Sequence, residues 1–123
     1  MADSPLTAII FDLDGTLVDT NDLHVRAWIA ALHDHGYEVG KDRVEREIGK
    51  GGDQLVGSIL GNAVEAKDGD RLRKSQGEHA LALIASQGVR AFADAVDLIQ
   101  DCKRRHLSVA LASSSDQKLL SRL

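Results

Sequence analysis

The chain has 123 residues, a formal net charge of −4 at pH 7 and an apolar content of 43%. The length and apolar content are those of one packed domain or a small core carrying an insertion. The negative net charge argues against nucleic acid or an anionic membrane surface as the main partner. No stretch approaches the ~20 apolar residues that cross a bilayer, there is no basic, apolar leader, and one cysteine gives no disulfide framework. The sequence therefore predicts a cytoplasmic protein with neither a nucleic-acid nor a membrane partner.

The first predicted element is a strand that ends in two carboxylates. Leu6–Phe11 is an apolar run without alternation, which is typical of a parallel strand covered on both faces. A strand directs side chains i and i+2 to the same face, so the Asp12 and Asp14 side chains converge. Carboxylates this close repel each other unless a cation or a shared proton relieves them, which indicates a metal or acid/base site. The alternative is a strand that ends in an ordinary Asp/Gly turn.

Residues 20–87 form a block of helical patterns. N-cap residues precede its first helix, and Gly36 follows the last turn. The block divides into four predicted helical stretches: 21–35, 41–48, 53–60 and 63–87. In the last of these, Gly69 and Gly77 predict breaks, and the polar middle at 65–78 predicts an exposed segment.

After the helical block the chain returns to an α/β pattern. Residues 93–106 predict an amphipathic helix, residues 107–112 a second apolar strand, and a further helix follows from about Asp116. This order of predicted elements indicates a parallel sheet with right-handed crossovers: strand, helical insertion, helix, strand and helix. Ligands gather at the carboxyl ends of such strands, where the aspartate pair and Ser113-Ser114 both lie. The alternative for Ser113 alone is a helix-capping role.

This combination of residues suits phosphoryl transfer. A carboxylate can attack phosphorus, and the transition state then spreads negative charge over three oxygens. Magnesium prefers hard oxygen ligands, which Asp12 and the Asp14 carbonyl offer, while the Asp14 carboxyl can transfer protons. Backbone N–H groups of Gly15 and Thr16, and those that open the helix after Ser113, are candidate ligands for phosphate oxygens.

Two stretches resemble motifs of the haloacid dehalogenase superfamily. Phe11-Asp12-Leu13-Asp14-Gly15-Thr16-Leu17 is similar to its first motif, and Leu111-Ala112-Ser113-Ser114-Ser115 is similar to its second. The helical block resembles the small α-helical cap of the phosphoglycolate phosphatase and β-phosphoglucomutase branch. The resemblance implies an α/β fold: a Rossmann-like parallel-sheet core, incomplete here, with an inserted α-helical cap. Residues 1–19 and 88–123 would then belong to the core, and residues 20–87 to the cap.

The resemblance also implies a role for each motif residue. Asp12 would be the nucleophile and a Mg²⁺ ligand. Asp14 would be the general acid/base and bind Mg²⁺ through its carbonyl, while Ser113, with Ser114, would hold the phosphoryl group. The implied function is a magnesium-dependent phosphatase that hydrolyses a small phosphorylated metabolite through an aspartyl-phosphate. The alternatives are a sugar-phosphate mutase of the β-phosphoglucomutase type and a catalytically incomplete fragment that only binds.

Three residues of the helical block are further candidates. Lys50 and Gly51 resemble part of a substrate-specificity loop facing the core site; the alternative is a Gly-rich turn with a solvated lysine. His24 resembles a residue that gates or orients in mutase relatives; the alternative is a histidine that packs between helices.

The later motifs of the family have no counterpart in these residues. The resemblance requires a balancing lysine and an acidic pair on later strands, and the chain ends before them. Two strands with their helices would leave apolar faces uncovered. We therefore expect the N-terminal part of a longer phosphatase, or an oligomer that buries the open sheet edge.

Overall fold

The computed structural model of the protein describes residues 5–113. The described residues form two compact units. The sheet unit comprises the residues up to Asp19 together with Arg90–Ser113, and the helical unit comprises Thr20–Val89. The predicted helix near Asp116, like Ser114, lies outside the described residues. The elements in chain order are β1 (Ala8–Asp12), α1 (Asn21–Asp34), α2 (Lys41–Glu45), α3 (Gly52–Leu60), α4 (Asn62–Gln87), α5 (Ala93–Arg104) and β2 (Ser108–Ala112).

The sheet unit contains the predicted parallel pair. β1 and β2 run parallel, with Ala8 opposite Ser108 and Asp12 opposite Ala112. One apolar cluster joins the sheet, the turn that follows β1 and helix α5; its buried members are Phe11, Leu13, Leu17 and Cys102. Cys102 is therefore a small core residue, as its place on the apolar face of the helix predicts. The parallel pairing confirms the α/β prediction and places the carboxyl ends of both strands side by side.

Much of the apolar surface of the sheet unit is exposed. Ile10 on β1 is 69% exposed and Leu111 on β2 is 56% exposed. Among residues 5–113, every large apolar side chain that is exposed belongs to this unit: Leu6, Ile10, Phe92, Val96, Leu98 and Leu111. The prediction that two strands leave apolar faces uncovered is confirmed.

The helical unit is built around α1. Val25, Trp28 and Leu32 enter one core cluster, and Leu23 and Ala27 enter a second. Apolar residues around so much of the helix require neighbours on more than one side, and α1 packs against both α2 and α4. Helix α2 is shorter than predicted, since it ends at Glu45. No helix within residues 5–113 combines the length and the apolar character needed to cross a membrane.

Helix α4 corrects two predictions. It is continuous over 26 residues, so Gly69 and Gly77 do not break it. Its polar middle is also not wholly exposed, because Asp68, Gly69 and Leu72 are buried there. The reason is tertiary packing: α4 lies against α1 and α3, and Leu72 joins the core cluster of Trp28. The burial of α4 against its neighbours outweighs the low helix propensity of the two glycines.

Gly77 provides a test of the helix interior. A Cβ atom added at this position would meet nothing within 4 Å, and alanine is favoured over glycine by about 1 kcal/mol inside a helix. We expect Gly77→Ala to raise the free energy of unfolding by roughly that amount, measured by urea denaturation. Gly61→Ala is the contrasting variant, because Gly61 has a φ of 91° that an L side chain rarely adopts. An unchanged or lowered stability of Gly77→Ala would contradict the packing described for α4.

A partly buried hydrogen bond joins the segment after α1 to α4. The Tyr37 hydroxyl donates to Asp68 Oδ2 over 2.6 Å, and Asp68 is buried. This bond, assisted by the charge of Arg71, lowers the pKa of the Asp68 carboxyl against the opposing effect of burial. A carboxyl with a lowered pKa in the folded state stabilises the fold above its unfolded pKa, and loses that contribution as the pH falls through the folded value.

This bond predicts an acid-sensitive helical unit. We expect the urea midpoint to fall as the pH drops below about 4, and we expect Asp68→Asn to reduce that dependence while lowering stability at neutral pH. Glu78→Gln is the matched control, since Glu78 is an exposed carboxylate on the same helix. The same acid dependence in Asp68→Asn as in the wild type would show that Asp68 does not contribute it.

Candidate active site

The carboxyl ends of β1 and β2 bring Asp14 and Ser113 together. In the ladder, Asp12 lies opposite Ala112, so Ser113 follows β2 at the level where β1 enters its acidic turn. The Ser113 hydroxyl donates a hydrogen bond to Asp14 Oδ2 over 3.2 Å. Both residues are half-buried. Side chains 99 positions apart in the sequence therefore form one polar cluster.

The turn after β1 is fixed by its own backbone. Gly15 has a φ of 73°, a left-handed conformation that favours glycine. Its N–H donates to the Val18 carbonyl over 2.9 Å, and the Thr16 N–H donates to the Leu13 carbonyl over 3.2 Å. The two N–H groups predicted to bind phosphate therefore already donate hydrogen bonds within the turn. To bind a phosphate oxygen as well, each N–H would have to share its hydrogen between two acceptors. The phosphate role of Gly15 and Thr16 stays a prediction.

Asp12 is the exposed carboxylate of the cluster. It ends β1, and its Oδ2 accepts a hydrogen bond from Thr16 Oγ1 over 3.3 Å. Each of the two carboxylates therefore has a hydroxyl donor, Thr16 for Asp12 and Ser113 for Asp14. An exposed carboxylate oxygen at a strand end is accessible to a ligand, whereas the half-buried Asp14 is more enclosed.

A shallow cleft of about 440 Å³ borders the turn. Gly15 and Thr16 form one wall, and the start of α5 forms the other. The complete lining is Phe11, Gly15, Thr16, Leu17, Phe92, Asp94, Ala95 and Leu98. Sequence periodicity placed residues 93–106 on a helix but gave no sign of this cleft, because it depends on how α5 packs against the turn.

The oxygen donors of Asp12 and Asp14 are of the type that Mg²⁺ prefers. Asp12 and Asp14 offer carboxylate and carbonyl oxygens, and proteins commonly bind Mg²⁺ through one or two carboxylates, with water and substrate phosphate as the remaining ligands. No group of three or more His, Cys, Asp or Glu side chains suited to a metal occurs within residues 5–113. The described residues therefore offer oxygen donors of the right kind, and the metal stays a prediction.

Lys50 and Gly51 lie in the helical unit, just before α3. The Lys50 ammonium lies 2.5 Å from Glu47 Oε2, and Arg43 donates to Glu47 Oε1 over 2.6 Å. These cations, Lys50 first and then Arg43, lower the pKa of the buried Glu47 carboxyl despite its burial. Lys50 is therefore ion-paired rather than merely solvated. Its role in substrate binding stays a prediction.

His24 lies on α1 and contacts α4. Its Nδ1 is 3.1 Å from Gln76 Nε2, and the residue is half-buried. This contact supports the helix-packing alternative for His24, and its gating or orienting role stays a prediction.

Residues 6–123 match the family model of the haloacid dehalogenase-like hydrolases. The chain belongs to this family. The resemblance given by the two motifs is thereby confirmed, and so is the α/β core with its helical insertion. Ser114 and Ser115 of the second motif lie outside the described residues.

The chain spans only part of the length of two relatives to which it is similar. It is 31% identical over 115 residues to Protein SUPPRESSOR OF QUENCHING 1, chloroplastic, of Arabidopsis thaliana, a match of 91% of this chain and 11% of that protein. It is 30% identical over 117 residues to Protein CbbY of Cereibacter sphaeroides, a match of 89% of this chain and 50% of that protein.

A solved structure shares the fold. The crystal structure of a hydrolase from Pseudomonas syringae superposes with a TM-score of 0.83 at 28% identity, covering 96% of this chain and 53% of that one. The chain thus spans about half the length of this hydrolase.

One residue of interest escaped the sequence patterns. Glu47 lies in the stretch 41–48 that the pattern predicts as a helix, and it forms an ion pair with Lys50. The spacing gives a signal for its second partner, because Arg43 is four residues before Glu47, a separation at which side chains meet on a helix.

Proposed function

We propose that this haloacid dehalogenase-like chain carries the phosphoryl-transfer site of a phosphatase that acts on a small phosphorylated metabolite. The observation that supports it is the cluster at the carboxyl ends of β1 and β2. There an exposed carboxylate, Asp12, precedes a half-buried carboxylate, Asp14, whose partner is the Ser113 hydroxyl. The proposal assigns one role to each of these residues.

In the first step Asp12 acts as the nucleophile. A carboxylate oxygen of Asp12 forms a bond to phosphorus while the ester P–O bond breaks. The leaving oxygen takes a proton from the Asp14 carboxylic acid. The products of this step are the free alcohol, an aspartyl-phosphate on Asp12 and an Asp14 carboxylate.

In the second step Asp14 acts as the base. It takes a proton from a water molecule whose oxygen attacks phosphorus, and the bond between phosphorus and Asp12 breaks. Inorganic phosphate leaves, Asp12 returns as a carboxylate and Asp14 is again protonated. The same group serves as acid and then as base, so the cycle closes without another proton donor.

Magnesium is the proposed cofactor, with Asp12 and the Asp14 carbonyl as its ligands from these residues. When bound, a divalent cation offsets the negative charge of the transferring phosphoryl group. Ser113, with its hydroxyl at the same strand ends, would hold a phosphoryl oxygen.

The proposed substrate class is a small phosphorylated metabolite. CbbY from Rhodobacter sphaeroides has been crystallised with phosphate, and a mutant of it with xylulose-(1,5)-bisphosphate, which supports this class without selecting one compound. Lys50, fixed by Glu47, is the proposed specificity residue of the helical unit, and the proposed location is the cytoplasm.

The experiment is a phosphate-release assay on the full chain. An aryl phosphate is incubated with Mg²⁺, and again with a chelator before Mg²⁺ is restored. We expect release that the chelator abolishes and Mg²⁺ restores. No release in the presence of Mg²⁺ would overturn the phosphatase proposal for this chain and favour a protein that only binds. Release that persists in the chelator would overturn the cofactor.

A further inference from the structure

A short series of polar contacts runs from α3 to Lys50 inside the helical unit. Arg43 donates to the Ser58 carbonyl of α3 over 2.7 Å and to Glu47 Oε1 over 2.6 Å. The Lys50 ammonium lies 2.5 Å from the other oxygen of the same carboxylate, Glu47 Oε2. Each oxygen of Glu47 therefore contacts a different cation, and Arg43 ties the carboxylate to α3.

The exposure and the charges of these side chains leave Lys50 attractive to an anion. The Glu47 side chain is 10% exposed, whereas the Lys50 side chain is 48% exposed. A buried carboxylate is costly unless a cation compensates it, and Arg43 supplies that compensation. Two cations and one carboxylate leave a net charge of +1 on the three groups. Asp53, a further carboxylate beside this loop, is exposed to water, which screens its charge.

The main chain around Lys50 is held from two sides. The Lys50 N–H donates to the Glu47 carbonyl over 3.2 Å. On the other side, Arg73 of α4 donates to the Gly52 carbonyl over 3.2 Å. Because the backbone is held, the place of the ammonium depends on the rotatable bonds of the Lys50 side chain, and the ion pair with Glu47 restricts them.

We infer that Glu47 is a positioning residue, which holds the Lys50 ammonium in place for an oxyanion of the substrate. A lysine ammonium has three N–H donors, so Lys50 can contact Glu47 and an anion at the same time. An ammonium that is already held loses less side-chain entropy when the anion binds. The identity of the anion rests on the proposed function, whereas the ion pair between Glu47 and Lys50 does not.

Removal of the Glu47 charge separates this role from simple competition for Lys50. If Glu47 only competed with the anion, Glu47→Gln would strengthen anion binding, because a negative charge beside Lys50 is lost. If Glu47 positions Lys50, the same change weakens binding. Arg43 and Lys50 then face each other without a carboxylate between them and repel each other, so the ammonium leaves its place.

The test measures the affinity of the full chain for inorganic phosphate by titration calorimetry, with the urea midpoint of each variant as the check on folding. Glu47→Gln, Lys50→Met and the double variant are compared with the wild type and with Glu45→Gln. Glu45 is exposed and pairs with Lys41, so this control removes the same charge from the same segment.

We expect Lys50→Met and Glu47→Gln each to weaken phosphate binding by roughly tenfold. The double variant should bind no more weakly than Lys50→Met, because the two residues act as one unit, and Glu45→Gln should bind like the wild type. Unchanged or tighter binding by Glu47→Gln would overturn the positioning role, and so would losses that add in the double variant. A wild type that binds no phosphate would overturn the anion-binding role of Lys50.

A second measurement needs no variant of the buried Glu47. In the wild type, ¹⁵N relaxation of the lysine ammonium groups should show Lys50 more ordered than Lys74, which is exposed on α4. Equal mobility of the two ammonium groups would show that Glu47 does not hold Lys50.

The two proposals fail separately. If the chain releases no phosphate from an ester but Glu47→Gln weakens phosphate binding, the phosphatase proposal fails and the positioning role stands. If phosphate is released normally and Glu47→Gln binds phosphate as the wild type does, the reverse holds.

Discussion

Asp12→Asn is expected to abolish phosphate release, lowering the turnover rate by roughly 10⁴- to 10⁶-fold, as removal of the nucleophile does in hydrolases that form covalent intermediates. The amide retains the shape of the carboxylate but cannot form a stable bond to phosphorus. The carboxylate of Asp12 is exposed at the end of β1, so its replacement should leave the core cluster of the sheet unit intact. Steady-state rates with an aryl phosphate measure the loss, and the urea midpoint reports the fold.

The matched control for this variant is Asp97→Asn. Asp97 is an exposed carboxylate on α5 of the same unit, and its replacement changes the net charge equally. It should keep the wild-type rate. Comparable turnover by Asp12→Asn and Asp97→Asn would remove Asp12 from the role of nucleophile.

Leu72→Ala is expected to destabilise the helical unit by about 2–5 kcal/mol, the usual range for emptying a buried leucine site. Leu72 is 0% exposed and packs in the cluster that contains Trp28, Leu32 and Leu55. The loss combines the transfer free energy of the removed atoms with the cavity left among these neighbours. Urea denaturation followed by the fluorescence of Trp28 measures it.

Lys74→Ala is the control on the same helix. Lys74 is exposed, and surface substitutions of this kind usually change stability by no more than about 0.5 kcal/mol. A Leu72→Ala variant as stable as Lys74→Ala would show that α4 does not pack on the core as described.

The elements of the sheet unit could be predicted from the sequence because their signals are local. Each of the two continuous apolar runs predicts a strand. The acidic turn with Gly15 indicates where the first strand ends, and the serine indicates where the second ends. Parallel pairing then follows from the intervening helix. The contact between Ser113 and Asp14 could be anticipated only as proximity, since the hydrogen bond depends on the register of β1 and β2.

The interior of the helical unit could not be predicted in the same way. Helix α4 lacks a regular apolar stripe, so neither the burial of Leu72 nor that of Asp68 is visible in its pattern. Gly69 and Gly77 indicated breaks, yet packing against α1 and α3 maintains the helix across both. The ion pair between Glu47 and Lys50 is not visible in the pattern, because it depends on the course of the chain after α2 ends at Glu45.

The most direct test of the proposed chemistry is to trap the covalent intermediate. The full chain is mixed with a radiolabelled aryl phosphate and Mg²⁺, quenched in cold acid and digested, and the labelled peptide is treated with hydroxylamine, which cleaves acyl phosphates. We predict a hydroxylamine-labile label on the peptide that contains Asp12, absent from Asp12→Asn. Phosphate release with no label on Asp12, or with a stable label on another residue such as Ser113, would contradict the assignment of Asp12 as the nucleophile.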